Sequence, residues 1–188
     1  NMKMFIDPQQ AEQGLPSIVK GVEKYLFLQK KLFLCDVSLD VDFQKAYNGF
    51  YRVRQRSAAF YRDYFLILEK CKTTPMAFHD VLSFLYTAHH RVEASFASKL
   101  IATVQPDQPV WDSIVLKNLN ISAPSYACKQ RLEKTVDTYQ TLCKWYQQYL
   151  STAEAQKIIS IFDRYYPNLP ITPTKKIDFT LWSIRENH

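Results

Sequence analysis

The chain has 188 residues, 47% of them hydrophobic and 22% charged, which is enough apolar material for a packed core and too much for a disordered chain. Its formal charge of +6 and isoelectric point near 9.1 favour a polyanionic partner, because clustered Lys and Arg gain by releasing counterions from phosphates. Only 3 glycines stand against 12 Tyr, 12 Phe and 3 Trp, so a glycine-rich nucleotide loop is excluded and rings on helices must do most of the packing.

No segment approaches the uninterrupted apolar length needed to cross a bilayer, so no membrane partner is expected. Cys35, Cys71, Cys128 and Cys143 are far apart with no Cys-x-x-Cys pairing, and the last three fall in expected helices among apolar neighbours. They read as reduced core residues, and with no signal peptide visible the expectation is a cytoplasmic protein. His79, His89, His90 and His188 lack the carboxylate or cysteine spacing of a metal site, so no metal and no organic cofactor is expected.

In chain order, a loose start over residues 1–16, through Pro8 and Pro16, leads into a helix from Ser17 to about Leu34. Asp42 then heads a segment in which Phe43, Ala46, Tyr47, Phe50, Val53, Ser57, Phe60, Tyr64, Phe65 and Leu68 recur at three- and four-residue steps. That spacing predicts one long helix with a bulky aromatic face. Thr74 and Pro75 give a cap-then-proline start to a helix carrying Phe78, Val81, Leu82, Leu85 and Tyr86, which should stop near His89–Arg91. A helix over about Ala94–Val104 leads through Pro106 and Pro109 to a short helix headed by Asp112. Leu132, Val136, Tyr139, Cys143, Tyr146 and Leu150 mark a long helix over roughly Tyr126–Leu150. Ser151 to Glu154 matches a capping box, opening a helix that ends before Pro167, and Thr172 with Pro173 starts a last one. No strand pair is legible, and the expected fold is a single multi-helix all-α domain.

Several ionisable residues stand out. On the wheel of the long aromatic helix Arg54 falls inside the apolar arc, between Phe50 and Tyr61, while Arg52, Arg56 and Arg62 fall away from it. A guanidinium there needs a carboxylate, carbonyls or a ligand phosphate. Asp178, among Ile177, Phe179, Leu181 and Trp182, has the same character with opposite sign, so Arg54 and Asp178 are candidate partners and candidate substrate contacts together with Lys99. Lys175 and Lys176 sit in the first turn of the last helix, where a cation is unfavourable unless an anion docks, which makes them candidate phosphate contacts. Tyr47, Tyr51 and Tyr61 carry hydroxyls that need partners near any pocket. Asp112 stands where the Pro106–Pro109 turn ends and a helix begins, a place where most Asp residues are helix caps and where a carboxylate could also act.

Two helices joined by a tight turn, followed by Pro109, Val110, Trp111, Asp112, Ser113, Ile114 and Val115 at a helix start, resemble the core of the helix-hairpin-helix DNA glycosylases. The resemblance centres on Phe78–Leu119. It implies an all-α protein that binds and bends duplex DNA and flips a damaged base into a pocket, with Asp112 as the catalytic aspartate that stabilises an oxocarbenium-like sugar. In that setting Arg91, Lys175 and Lys176 would contact the DNA backbone. The turn from His90 to Ser95 holds no glycine where the family has a Gly-x-Gly phosphate grip, and no lysine stands where lyase-type members carry their amine. Two other readings follow from the residues: a helical module that binds a protein partner through its aromatic surface, and an enzyme on a small anionic substrate held by Arg54.

Overall fold

The computed structural model describes residues 2, 3 and 5–185. Among these the chain is all-helical, with no strand. The helices are α1 (Pro8–Gly14), α2 (Val19–Leu32), α3 (Val41–Tyr51), α4 (Ala58–Cys71) and α5 (Phe78–His89), then α6 (Ala94–Val104), α7 (Ser113–Asn118), α8 (Arg131–Leu150), α9 (Ala153–Tyr165) and α10 (Pro173–Ser183). A 3-10 turn (Leu15–Ile18) follows α1. The chain forms two compact units, one spanning Val19–Gln105 and one made of the described residues up to Ile18 together with those from Pro106 onward.

In the Val19–Gln105 unit the expected long aromatic helix is two helices. Asp40, not Asp42, caps α3 by accepting the Phe43 N–H at 2.8 Å, and Arg52 ends it in the left-handed region at φ 57°. The Val53 N–H closes back on the Asn48 carbonyl at 3.1 Å, and Ser57 caps α4 through the Phe60 N–H. The break lets the aromatic face fold onto itself. On one straight helix Tyr47 and Tyr64 would be about 25 Å apart at ~1.5 Å per residue, yet their hydroxyls meet at 2.9 Å. Tyr47 also packs edge-on to Phe65 at 5.5 Å between ring centroids. The helix expected from Thr74 begins instead at Phe78, and the Thr74 N–H is bonded to the Lys70 carbonyl of the preceding helix end at 2.9 Å. Asp80 instead reaches back to the Ala77 N–H.

In the other unit α10 is the buried centre, with Ile177 and Thr180 fully enclosed, and α1, α7, α8 and α9 pack around it. The start expected to be loose forms α1, where Asp7 accepts the Gln9 N–H and Pro8 takes the first helical position. α8 begins at Arg131, later than its stripe predicts, and Cys128 therefore lies in a loop. Its buried face centres on Tyr139, Leu142, Trp145, Tyr146 and Tyr149. Trp145 stacks on Tyr149 at 4.6 Å and donates its indole N–H to the Lys3 carbonyl at 2.7 Å. Thr152, one residue after the expected cap, heads α9, and Thr172 with Pro173 opens α10 as expected.

Two glycines in helices face opposite surroundings. A Cβ on Gly14 would meet the Ser183 hydroxyl at 2.6 Å and the Ser183 carbonyl oxygen at 2.7 Å, whereas a Cβ on Gly49 would meet nothing within 4 Å. Gly14→Ala should therefore lower stability by about 1–3 kcal/mol through overpacking, and Gly49→Ala should raise it by about 0.5–1 kcal/mol through helix propensity. Urea unfolding of the two variants checks both signs.

Candidate functional site

The hairpin of α5 and α6 and the loop of residues 52–57 make one edge of the Val19–Gln105 unit. The hairpin turns without glycine because His90 takes the left-handed conformation at φ 58°, donating its N–H to the Tyr86 carbonyl at 2.8 Å. Glu93, 6% exposed, closes the turn, and its carboxylate is gripped by both sides of the Arg56 guanidinium at 2.8 and 3.0 Å. The same guanidinium donates to the Arg54 and Gln55 carbonyls and lies over the Phe96 ring at 4.8 Å. One arginine thus organises the loop and pins it to the hairpin, a use of the planar fork that lysine cannot copy. Arg52, Gln55 and His90 all have φ near +58° without being glycine, a backbone cost of order 1 kcal/mol each that this edge bears three times over. Arg52, Arg54 and Arg91 are exposed on it, and among the described residues none of them makes an ion pair.

A buried polar chain stands behind this edge. The Tyr64 hydroxyl gives its proton to the Phe96 carbonyl at 2.7 Å, so Tyr47 must donate to Tyr64. Thr103 shares its proton between the Lys99 carbonyl at 2.7 Å and Tyr47 at 3.2 Å. Burial pushes both phenols up, so they remain neutral links and not acid–base groups. Lys99, expected as a substrate contact, is buried and donates to the Tyr51 carbonyl at 2.7 Å. Tyr61 closes the loop by donating to the Val53 carbonyl at 3.1 Å.

Asp112 lies in the other unit. It caps α7, and one oxygen, Oδ1, accepts both the Ile114 N–H at 2.8 Å and the Val115 N–H at 3.2 Å. The second oxygen stays outside the cap. The side chain is half-buried beside Val110 and Trp111, which are both buried. Tyr139, on α8, donates to the Pro109 carbonyl at 2.7 Å and so fixes the turn that delivers Asp112. The buried Tyr146 hydroxyl, two turns of α8 further on, makes no hydrogen bond. Burial first, then the carboxylates of Asp178 and Asp112, push its phenol up, which places both acids within electrostatic reach of the same hydroxyl.

The remaining expected site residues divide cleanly. Arg54 is not on a buried helical face: the break after α3 puts it on an exposed loop. Asp178 is buried as expected, but it pairs with Lys175 one turn before it at 2.7 Å, and Arg54 belongs to the other compact unit. Lys175 is 6% exposed, with its ammonium over the Phe179 ring at 4.9 Å. Lys176 pairs with Asp163 at 2.6 Å. These two lysines are spent inside their own unit, where the first turn of α10 finds its anions in protein carboxylates. Arg52 and Arg56 fall outside the apolar arc of an unbroken helix, and no glycine or proline in residues 52–57 signals the loop that puts them on this edge. Burial pushes Cys35 and Cys71 up and Cys143 up to about 11, so these thiols are not nucleophiles at neutral pH. Among the described residues no cluster of His, Cys, Asp or Glu could hold a metal, and no helix is long and apolar enough to cross a membrane; His188 lies outside the described residues. No family model, no curated protein and no solved structure matches the chain.

Breaking the Arg56–Glu93 pair from its buried side leaves a guanidinium without its carboxylate. Glu93→Ala should lower stability by about 2 kcal/mol, and Arg56→Lys should fail to restore the loop, both read by thermal unfolding. The two tyrosines of α8 should respond with opposite signs. Tyr146→Phe removes a buried hydroxyl without a partner and should raise stability by about 1 kcal/mol, while Tyr139→Phe should lower it by about the same amount. Urea midpoints of the two variants decide.

Proposed function

We propose that this protein binds double-stranded DNA through the arginine edge of the α5–α6 hairpin and excises a damaged base, with Asp112 as the acting carboxylate. The observation that carries the binding reading is the set of Arg52, Arg54 and Arg91 on one edge, exposed and without ion pairs, while the neighbouring Glu93 is neutralised by Arg56. Exposed cations left uncompensated beside a helical hairpin suit a phosphate backbone, where Arg offers a planar fork to paired oxygens. The backbone contacts are therefore Arg52, Arg54 and Arg91 and not the internally paired Lys175 and Lys176.

The excision reading rests on the resemblance of Phe78–Leu119 and on the way Asp112 is held. Two N–H groups on Oδ1 fix the side chain in place before any substrate arrives. A preorganised carboxylate stabilises a sugar that gains positive charge as the glycosidic bond lengthens, and it spends nothing on reorientation at that moment. A small anionic substrate has less support, because Arg54 is on an exposed loop and not in a closed pocket.

Binding to a duplex with a central abasic-site analogue, compared with the unmodified duplex across a salt series, tests the interface. Replacing Arg52, Arg54 and Arg91 together by Ala should weaken binding and flatten the slope of log affinity against log salt by roughly 0.9 per lost phosphate contact. An unchanged slope would remove the arginine edge from the interface. Asp112→Asn keeps an oxygen for the Ile114 and Val115 N–H groups and loses only the charge. It should retain fold and DNA affinity and lose excision by about a hundredfold or more on a substrate found by lesion screening. Full excision by this variant would end the catalytic assignment.

A further inference from the structure

The two helices at the start of the Val19–Gln105 unit leave a groove between them that the DNA reading does not use. It has a volume of about 370 Å³, a floor of Phe27, Ala46, Gly49 and Phe50, and a rim of Glu23, Lys24 and Lys45. Phe27 is 51% exposed, so this ring presents apolar surface to the groove. Gly49 is the second observation. It lies inside α3, its φ is not positive, and a Cβ there would meet no atom within 4 Å beyond its own helix backbone and chain neighbours. Neither backbone conformation nor close packing requires a glycine, and alanine would make a better helix. The missing side chain leaves room between two rings, and nothing within the unit fills it.

The rim says what kind of occupant fits. Lys24 on α2 and Lys45 on α3 face the groove from its two sides, Lys20 stands one turn before Lys24, and all three are exposed. None of them makes an ion pair among the described residues, and Glu23 is the one carboxylate on the rim. A floor of rings and small residues gives a phosphate no donor, so DNA gains nothing there beyond the rim charges. A concave floor between two helices takes the side-chain ridge of a third helix, and small residues at the centre allow close approach.

We infer that this groove binds one amphipathic helix of an acidic partner protein. The apolar ridge of that helix lies over Gly49 between Phe27 and Phe50, and its flanking carboxylates meet Lys24 and Lys45. The rings supply the buried anchor, and the lysines select the charge of the partner and speed its encounter.

Selection of displayed peptides on the whole protein tests this directly. Two libraries of helical peptides of about 16 residues, roughly four turns, would share a randomised apolar face, one with Glu flanking that face and the other with Lys. The Glu library is expected to yield binders and the Lys library none. The best peptide should lose affinity roughly tenfold or more against Gly49→Leu, which fills the groove, and against the double variant Lys24→Glu with Lys45→Glu. Circular dichroism and DNA binding of Gly49→Leu should match the parent protein, which separates this site from the arginine edge. Failure of the Glu library to enrich, equal enrichment of the Lys library, or binding indifferent to Gly49→Leu would each overturn the inference. So would self-association in sedimentation, or adsorption to phosphatidylserine vesicles, that Gly49→Leu abolishes, since either would assign the groove to a second copy of this chain or to lipid.

Discussion

The meeting of the Tyr47 and Tyr64 hydroxyls is the constraint from which the Val19–Gln105 unit follows. Two phenols 17 residues apart can touch only if the chain reverses between them, so the aromatic face of one amphipathic segment becomes the two facing walls of a core. Tyr64 then spends its proton on the Phe96 carbonyl, which brings α6 to the same core and fixes where the α5–α6 turn emerges. The reversal has a loop, that loop is rich in arginine, and the turn it lies against contributes Glu93. The Arg56–Glu93 pair is thus a consequence of the phenol pair, and the exposed arginine edge is a consequence of both.

Charge in this protein separates into groups spent on folding and groups left over. Lys175 with Asp178, Lys176 with Asp163, and Arg56 with Glu93 each hold a cation near a carboxylate of their own unit. Buried charge tolerates nothing less, because an unpaired ion in a low-dielectric interior costs several kcal/mol, on the order of a sizeable part of a domain's net stability. Other cations are on the surface, and among them are those of the hairpin edge and of the rim of the α2–α3 groove. The two surfaces differ in what lies between their charges. Strained polar backbone lies between the arginines, and rings and open space lie between the lysines. The first chemistry suits phosphate, the second an apolar ridge with acidic flanks.

The cap at Asp112 uses one carboxylate oxygen and leaves the other outside it. Two N–H groups on one oxygen hold the side chain rigid at the start of α7. The helix is only as long as the cap requires, and the turn ahead of it is fixed by Tyr139. Such a group can support stability and chemistry at once, which is why substitution by Asn and by Ala would report different things.

The residues alone determined that the chain is helical, where α6, α7 and α10 lie, that Asp112 heads α7, and that Asp178 is buried. All of these are local matters: a cap, a proline at a first turn, or an apolar period within one helix. The cap-then-proline pattern opens a helix at Asp7 and at Thr172 and does not at Thr74, where the helix starts at Phe78. Only the tertiary structure decided the rest. A helical wheel assumes an unbroken helix, and nothing in the glycine- and proline-free run Arg52 to Ser57 announces that burying two tyrosine hydroxyls against each other outweighs six residues of helix. That balance moved Arg54 from an inferred buried site to an exposed edge and gave Arg56 its partner. Partner choice for Asp178 was likewise a matter of which cation lay one helical turn away in a buried helix, and sequence distance between Arg54 and Asp178 carried no information about it.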